Sequence, residues 1–258
     1  MNPDLELALE LADMADVMTM ARFRDLDLVV TTKPDLTPVT EADRSVEQAL
    51  RHAITKARPD HGIVGEEFPT VGGTAWRWIL DPIDGTKNYV RGIPVWGTCI
   101  ALQREGEATV GFISAPALGR RWWAALGEGA FADGAPIRVS QVKDLADAQL
   151  SYDSVMSFEA YGLGERFLDL ARRCWRTRGL GDFWSHVLVA EGAVDVAVEP
   201  EVSLWDVAAV QIIVEEAGGR FTDLGGTPRP DGGSAVSTNG LLHDEVLAVL
   251  SHGRSAHG

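Results

Sequence analysis

Apolar residues recur at helical spacing in two segments at the start of the chain. Asn2 and Pro3 favour a helix start, as N-cap and first helical residue, and a second helix is expected to begin near Thr40. The residues between the two helices, 33–38, contain two prolines and predict a loop. The inward positions are expected at Leu5, Ala8, Leu9, Ala12 and Ala15, and at Val46, Ala49, Leu50, Ala53 and Ile54. Both segments therefore predict helices that cover a core.

Short apolar runs come next and predict strands. The run at Ile63–Val64 and the run Trp76–Leu80 are each followed by acidic residues. Pro82 is expected to end the second strand, because proline cannot donate to a ladder. From residue 96 to residue 139, glycines and prolines separate shorter runs, which predicts an antiparallel meander. Its strands are expected at Thr98–Leu102, Val110–Ala115, Trp122–Ala125 and Ile137–Val139.

Beyond about residue 145, helical and strand patterns alternate. Helices are expected at Glu165–Trp175, Asp182–Glu191, Trp205–Ala217 and the tail, and strands at Val194–Val198 and Ala235–Thr238. The pattern predicts an N-terminal α+β half, residues 1–145, which contains the meander, and a C-terminal α/β half, residues 146–258. We expect the two halves to share a cleft.

Length, charge and cysteine content narrow the function classes. A chain of 258 residues can bury a substantial core. Its net charge of −15 argues against nucleic acid, which binds through phosphate neutralisation, and against an anionic membrane surface. No window approaches the roughly 20 apolar residues of a membrane helix, and the N-terminus lacks the features of a signal peptide. Only Cys99 and Cys174 occur, so a reducing cytoplasm is expected.

Acidic residues follow two predicted strands and open a later predicted helix. They are Glu66, Asp81, Asp84 and Asp206. Carboxylates suit Mg²⁺, which takes oxygen ligands and keeps several waters, and a water activated by such an ion is a nucleophile. Without metal, clustered carboxylates repel one another, which is expected to raise their pKa values. Asp206 alone is most simply an N-cap, but three acidic segments together favour a site for hard cations and a phosphoryl oxygen.

Three motifs resemble the signatures of the inositol monophosphatase superfamily. They are Gly65-Glu66-Glu67, Asp81-Pro82-Ile83-Asp84-Gly85-Thr86 and Trp205-Asp206-Val207-Ala208, and the resemblance extends over nearly the whole chain. It implies an alternating αβαβα layered sandwich, of the α+β or α/β class. It also implies magnesium-dependent hydrolysis of small phosphate monoesters and a homodimer.

The resemblance implies two or three Mg²⁺ ions and a set of ligands. The ligands would be Glu66, Asp81, the Ile83 carbonyl, Asp84 and Asp206. Asp81 would bridge two ions: the first, at Glu66, generates the nucleophile and the second stabilises the leaving oxygen. Asp206 would also contact the substrate. A third, weakly held ion is expected near Glu66. Adjacent residues of an extended segment face opposite ways, so Glu67 would bind that ion through a water or support the ligands without touching a metal.

Residues around the implied metals would orient water and phosphate. Thr40 and Asp43 fit a capping box, which alone explains Asp43. The resemblance implies that Asp43 and Thr86 also hydrogen-bond the attacking water, with Asp43 accepting charge as the water deprotonates. Gly85 and Thr86 would begin a short helix whose amides meet the phosphate.

The organic part of the substrate is expected to meet two further acids, Asp182 and Glu199. Residues 181–209 and Lys87–Gly92 closely resemble the histidinol-phosphatase branch of the superfamily. Asp182 alone is most simply an N-cap, yet both acids would suit the ammonium and imidazole of histidinol phosphate. The resemblance thus implies its hydrolysis to histidinol, a step of histidine biosynthesis. The histidines lack paired ligand spacing, and His186 is most simply a buried imidazole.

Three alternatives remain open at this stage. An inositol-1-monophosphatase, or a broader small-monoester phosphatase, shares every metal ligand but has no need of Asp182. A phosphatase for fructose bisphosphate or a phosphoadenosine nucleotide needs additional basic residues for its second phosphate, and few candidates occur. A catalytically inactive, metal-binding regulatory protein should have lost one of the acids or Thr86, and all are present.

Overall fold

The computed structural model describes residues 2–32 and 38–251. Its helices are α1 Pro3–Arg22, α2 Glu41–Ala57, α3 Thr86–Val90, α4 Val155–Ala160, α5 Gly164–Arg173, α6 Asp182–Ala190, α7 Leu204–Glu216 and α8 His243–Ser251. Its strands are β1 Val30–Thr32, β2 Pro38–Thr40, β3 Gly62–Gly65, β4 Trp76–Asp84, β5 Gly97–Arg104, β6 Glu107–Ala115, β7 Arg120–Ala125, β8 Gly129–Ala132, β9 Ala135–Pro136, β10 Gln149–Tyr152, β11 Arg176–Gly179, β12 Val196–Glu199, β13 Arg220–Thr222 and β14 Ala235–Thr238.

The two N-terminal helices begin where their caps predict. The Asn2 side chain accepts a hydrogen bond from the Asp4 N–H, and Pro3 is the first residue of α1. Thr40 caps α2 in a capping box with Asp43. The loop predicted at 33–38 lies outside the described residues, except for Pro38, which begins β2 and pairs with Thr32.

Strands β3 to β9 form the first sheet, a seven-stranded sheet within the described residues, in the order β3-β4-β5-β6-β7-β8-β9. Strand β3 is parallel to β4, and every later pair is antiparallel, which confirms the meander. The strand predicted at Ile137–Val139 is wrong. Its place is taken by β8 and β9, whose tight turn contains Asp133 and Gly134, both with positive φ. An Asp-Gly pair favours such a hairpin turn.

Strand β4 does not end at Pro82, as the sequence predicts. It continues to Asp84. Asp81 pairs with Cys99 and Asp84 pairs with Gly97, so β4 contains one extra residue between these two pairs, which is a β-bulge. Proline is tolerated at such a bulge because the extra residue is unpaired. The Pro82 carbonyl instead accepts a hydrogen bond from the Thr98 hydroxyl at 2.8 Å.

The second sheet has the order β11-β10-β12-β14-β13. Its first three strands are parallel, and β14 runs antiparallel to both β12 and β13. The helices and strands predicted beyond residue 145 are confirmed to within two residues at each end. Elements β10, α4, β11 and β13 were not predicted, because they are short; β11, for example, is an exposed edge strand of sequence Arg-Thr-Arg-Gly.

The layers alternate between helices and sheets, which confirms the αβαβα sandwich. Helices α1 and α2 cover one face of the first sheet, with a core of Leu11, Val46, Leu50, Trp78, Ile100 and Phe112. Helices α6 and α7 fill the space between the sheets, with Ile79, Ile113, Trp122, Val187, Ile213 and Phe221. Helices α5 and α8 cover the outer face of the second sheet, with Phe167, Leu170, Val196, Val236, Val246 and Leu250.

The central helix layer joins the two predicted halves of the chain. Helix α7 comes from the second half yet packs against β6 of the first sheet, and the close approach leaves no room for a side chain at Gly111, whose Cβ would lie 2.6 Å from the Ala209 carbonyl oxygen. The division at residue 145 stays a prediction. Among the described residues, every helix is too short or too polar to cross a bilayer.

Candidate active site

The bulge in β4 brings Asp81 and Asp84 to one face of the strand. Residues three apart in a regular strand point to opposite faces, and one extra residue restores a common direction. Both side chains are buried. The Asp81 carboxylate accepts a hydrogen bond from the Ile83 N–H at 3.0 Å, which holds the turn of the bulge. The hexapeptide thus sets two acids side by side at the end of a buried strand.

Three carboxylates converge at this point. Asp81, Asp84 and Asp206 each offer an oxygen within 4.8 Å of the others. Burial raises the pKa of Asp81 well above its usual value, and the neighbouring charges of Glu66 and Asp84 raise it further. Burial likewise raises the pKa of Asp84, followed by the charges of Asp182 and Asp206. Three of the four acids expected to cluster, Asp81, Asp84 and Asp206, therefore do so, and their pKa values are raised.

Asp206 reaches the cluster from the first turn of α7. It is not the N-cap that the simplest interpretation predicted: Ser203 is the cap, and Asp206 is the third residue of the helix and accepts the Ser203 N–H at 2.7 Å. Burial raises its pKa to about 7 against the lowering effect of that hydrogen bond, and the charges of Glu66 and Glu199 add to the rise. The helix cap thus fixes a carboxylate from the second half of the chain against β4.

Glu66 and the Ile83 carbonyl are the two remaining ligands that the sequence predicts. Glu66 lies outside the set of three converging oxygens, but after burial its charge is the largest influence on the pKa of Asp81, so its carboxylate lies near that residue. The Ile83 carbonyl accepts a hydrogen bond from the Thr86 hydroxyl at 3.0 Å. The roles of both groups as metal ligands stay predictions. Glu67 turns toward α2, where its carboxylate lies 3.9 Å from the Arg44 guanidinium.

Asp43 combines a helix cap with a position facing the site. One carboxylate oxygen accepts the Thr40 N–H at 2.7 Å and the Thr40 hydroxyl at 2.5 Å. The other lies 3.5 Å from the Thr86 hydroxyl. Burial is the main cause that raises the pKa of Asp43 to about 6. The two roles coexist because one oxygen serves the cap while the other faces Thr86.

The residues at Gly85 and Thr86 begin α3, as expected. Gly85 has φ of +82°, and a Cβ there would lie 3.2 Å from the Asp182 carboxylate and from the Val95 carbonyl oxygen. Glycine is therefore required both by the backbone conformation and by the approach of α6. The contact of this helix with phosphate stays a prediction.

Asp182 is not an N-cap. Gly181 occupies that position, and Asp182 is the first residue of α6 with a left-handed φ of 51°. Its carboxylate lies 3.3 Å from the Asn88 side-chain amide of α3, which donates to it. Burial, followed by the charges of Glu199 and Asp153, raises its pKa to about 8, while Lys87 lowers it. The side chain is partly buried and, with its partner on α3, faces the same cavity as Asp84 rather than capping a helix.

A small acidic cavity of about 90 Å³ joins the metal acids to the predicted substrate acids. Its carboxylates are Asp84, Asp153, Asp182, Glu199, Glu201 and Asp206. Within the described residues, no lysine or arginine lines it. Glu199 is buried and ends β12, with one oxygen that lacks a hydrogen-bond partner. The cavity can therefore receive a cationic group.

Three cavity residues escaped the sequence analysis as candidates. Asp153 follows β10 and Glu201 follows β12, two strands whose ends meet in the second sheet. The acid that follows the Gln149–Tyr152 run was the available signal, but that strand was not predicted. His186 is buried, as expected; its Nδ1 bonds the Ser237 hydroxyl at 2.7 Å, and its Nε2 lies 3.6 Å from the Glu199 carboxylate.

The donor set fits a hard divalent cation. The three converging groups are all carboxylates, which suit Mg²⁺ and similar ions. Buried charges without a counter-ion are costly, and a cation at this point would offset the charges of Asp81, Asp84 and Asp206.

Known proteins resemble this chain along its whole length. The family model described as the inositol monophosphatase family matches residues 1–254. A histidinol-phosphatase of Mycobacterium tuberculosis is 57% identical, over 98% of this chain and 99% of that protein. A histidinol-phosphatase of Streptomyces coelicolor is 54% identical, over 96% of this chain and 97% of that protein.

A solved structure of a Thermotoga maritima IMPase has the same architecture. It superposes with a TM-score of 0.87 and 34% identity, over 96% of each chain. The fold and the sequence similarity thus point to the same family.

Proposed function

The chain belongs to the inositol monophosphatase family, and we propose that it is a magnesium-dependent histidinol-phosphatase, which hydrolyses L-histidinol phosphate to L-histidinol and phosphate. Members of this family are metal-dependent phosphoric monoester hydrolases. The observation that carries the choice of substrate is the cavity beside Asp84 and Asp206, which is lined by six carboxylates and, within the described residues, by no lysine or arginine. Histidinol phosphate brings an ammonium and an imidazole to such a cavity, whereas inositol phosphate brings only hydroxyls.

The metal would be held by Asp81, Asp84 and Asp206, with Glu66 and the Ile83 carbonyl completing the ligand set. Two Mg²⁺ ions, and a third near Glu66, are proposed. When bound, the cations supply Lewis acidity and neutralise the charge of the phosphate. The chain's own contribution is to hold these oxygens in place: the Ile83 N–H fixes Asp81, the Phe183 N–H fixes Asp84, and the Ser203 N–H fixes Asp206.

Thr86 and Asp43 would take the proton of the attacking water. The Thr86 hydroxyl would accept from the water and turn its single proton from the Ile83 carbonyl to the free oxygen of Asp43, 3.5 Å away. Thr40 holds the other oxygen of Asp43 and so orients the pair. Because burial raises the pKa of Asp43 to about 6, its carboxylate is a stronger base than an exposed aspartate and is still ionised at neutral pH.

Asp182 and Glu199 would bind the cationic part of the ester. Asp182 adjoins Gly85, where the phosphate is expected, so the ester would place its phosphate at α3 and its charged amine toward the second sheet. Glu199 lies further inside, with His186 behind it. Asp206, on the wall between the metal acids and this cavity, would contact both ends of the substrate. We further propose that the enzyme is a cytoplasmic homodimer and that its reaction is a step of histidine biosynthesis.

Phosphate release from a panel of monoesters tests this function. With Mg²⁺ present, histidinol phosphate should be hydrolysed with a much higher kcat/KM than inositol 1-phosphate or glucose 1-phosphate. Chelation with EDTA should abolish the release, and Mg²⁺ should restore it. The second candidate, an inositol-1-monophosphatase, is supported by the 34% identity to the Thermotoga maritima IMPase. Equal kcat/KM values on the inositol and histidinol esters would favour it.

A further inference from the structure

A buried carboxylate, Glu47, lies behind the loop that carries Glu66. Glu47 belongs to α2 and is fully buried. Its two oxygens accept the backbone N–H groups of Glu67 at 2.7 Å and Phe68 at 3.3 Å. The backbone N–H groups of the residues that follow Glu66 therefore point at a single carboxylate on a helix.

Arg51, one turn further along α2, holds the same loop by its carbonyl groups. Its Nε donates to Glu47 at 2.7 Å. Its two remaining nitrogens donate to the Phe68 carbonyl at 2.9 Å and the Pro69 carbonyl at 3.1 Å. Glu47 and Arg51, which we call the loop clamp, thus make four hydrogen bonds to the backbone of residues 67–69.

Gly65 shows how closely the clamp fits. Its φ is not unusual for an L-residue, but a Cβ at this position would lie 2.1 Å from a Glu47 oxygen. Any side chain at Gly65 must therefore push the Glu47 carboxylate away from the loop. On the other side of this turn, the Glu66 N–H donates to the Leu80 carbonyl of β4 at 3.3 Å, so Glu66 is held between the clamp and the strand that carries Asp81.

The cost of this arrangement argues for a role beyond folding. A buried ion pair is weak evidence for stability, because desolvation offsets its attraction and apolar residues of similar size often replace it without loss. Here almost every hydrogen bond of the pair goes to the three residues that follow Glu66. Partners that orient metal ligands from behind typically change metal affinity about 10- to 100-fold when mutated.

We propose that Glu47 and Arg51 are positioning residues for Glu66, which they hold toward the cluster of Asp81, Asp84 and Asp206 so that the loop binds a divalent cation tightly. This inference rests on the proposed function, in which Glu66 is a metal ligand. The pair itself lies outside the cluster and touches the loop backbone. It acts by removing alternative conformations of residues 66–69 that the cation would otherwise have to exclude.

Direct Mn²⁺ binding to the full chain, without substrate, tests the proposal. Glu47→Gln keeps the shape of the side chain, but its amide N–H₂ must face one of the N–H donors, so one loop contact is lost. It should weaken Mn²⁺ binding, measured by electron paramagnetic resonance, about tenfold or more. The midpoint for Mg²⁺ activation should rise similarly, while kcat at saturating Mg²⁺ changes little. Gly65→Ala should produce the same defect although it removes no polar group.

Glu216→Gln is the matched control. Glu216 also accepts hydrogen bonds from two backbone N–H groups of a turn, those of Gly127 and Gly129 at 2.8 Å each. It lies at the far end of α7 from Asp206. Glu216→Gln should lower the melting temperature without changing Mn²⁺ binding. If only the clamp variants bind Mn²⁺ more weakly, a general loss of stability cannot be the cause.

The failures of the two proposals are distinguishable. If Glu66→Gln binds Mn²⁺ as the wild type does, the assignment of Glu66 as a ligand is wrong. If Glu66→Gln weakens binding but folded Glu47→Gln and Gly65→Ala do not, the loop clamp has no positioning role. If both clamp variants fail to fold, judged by circular dichroism, the clamp is required for folding and the proposal is overturned as well.

Discussion

The Asp84 carboxylate accepts a hydrogen bond from the backbone N–H of Phe183 at 2.6 Å, across 99 positions of the chain. Asp84 ends β4 of the first sheet, and Phe183 follows Asp182 in the first turn of α6. This bond ties the acid expected to bind metal to the helix that carries the acid expected to bind substrate. Together with the hydrogen bond from the Asn88 side chain to Asp182, this contact fixes the phosphoryl end of the site relative to its organic end.

The first prediction concerns substrate choice. The pKa of about 8 belongs to Asp182 without a bound cation, and a metal ion or ammonium beside it favours the ionised form. Asp182→Asn removes that charge but keeps the left-handed backbone, because asparagine tolerates positive φ. A charge-assisted hydrogen bond contributes about 1.5–3 kcal/mol, so kcat/KM for histidinol phosphate should fall by roughly one to two powers of ten. Inositol 1-phosphate, which has no cation, should be hydrolysed nearly as before. Steady-state kinetics on both esters measure this, and Asp147→Asn, on the exposed surface, is the control. Equal losses on both esters would make Asp182 a purely structural residue.

The second prediction separates activity from stability at the metal cluster. Asp81→Asn should lower kcat at least about a hundredfold, because a metal ion supplies several kcal/mol to the transition state. In metal-free protein the same change should raise the melting temperature, since it removes one of the mutually repelling buried carboxylates. The amide oxygen can still accept the Ile83 N–H, so the bulge should persist. Calorimetry in EDTA and a phosphate-release assay in Mg²⁺ check the two effects. A lower melting temperature in EDTA would contradict the repulsion argument.

Local motifs revealed much of the site, whereas long-range contacts did not. The hexapeptide Asp81–Thr86 marks a strand end and an adjacent turn, so both features follow from neighbours in sequence. The bulge that aligns Asp81 with Asp84 was missed, because a proline in a strand run usually signals its end. Asp153 and Glu201 were missed since they meet only when β10 and β12 pair in parallel. The strand at Ile137–Val139 was wrongly predicted because these residues alternate apolar and polar like a strand, whereas the chain leaves the sheet after the short strand β9.

Helix caps could be predicted from neighbouring residues, whereas the close contacts of two glycines could not. Asn2 and Thr40 predicted their helix starts because a cap acts on the next three residues. The need for glycine at Gly65 depends on Glu47, and at Gly85 the close approach of Asp182 adds to the left-handed backbone conformation. Sequence patterns cannot report such close approaches, since nothing local distinguishes these glycines from those of ordinary turns.

The third prediction concerns the proton path. Thr86→Ala removes the hydroxyl that lies 3.5 Å from Asp43 and 3.0 Å from the Ile83 carbonyl oxygen. It should lower kcat about a hundredfold or more, in the range of general-base contributions, with a smaller rise in KM. Thr86→Ser keeps the hydroxyl and should retain most of the activity. If Thr86→Ala retains the kcat of the wild type, or if serine and alanine are equally impaired, the hydroxyl does not act on the water.

The last prediction is a pH dependence of stability far from the site. His243 is buried, and its ring nitrogens lie 3.0 Å from the hydroxyls of Thr222 and Thr238. Burial lowers its pKa to about 4 from an unfolded value of 6.5. The unfolded chain therefore binds a proton first, so this contribution to stability is complete above pH 6.5 and is lost as the pH falls toward 4. Urea unfolding at pH 7 and pH 5 should show a smaller decrease for His243→Gln than for the wild type. Exposed His52→Gln is the control, and an equal decrease in all three proteins would contradict the assignment.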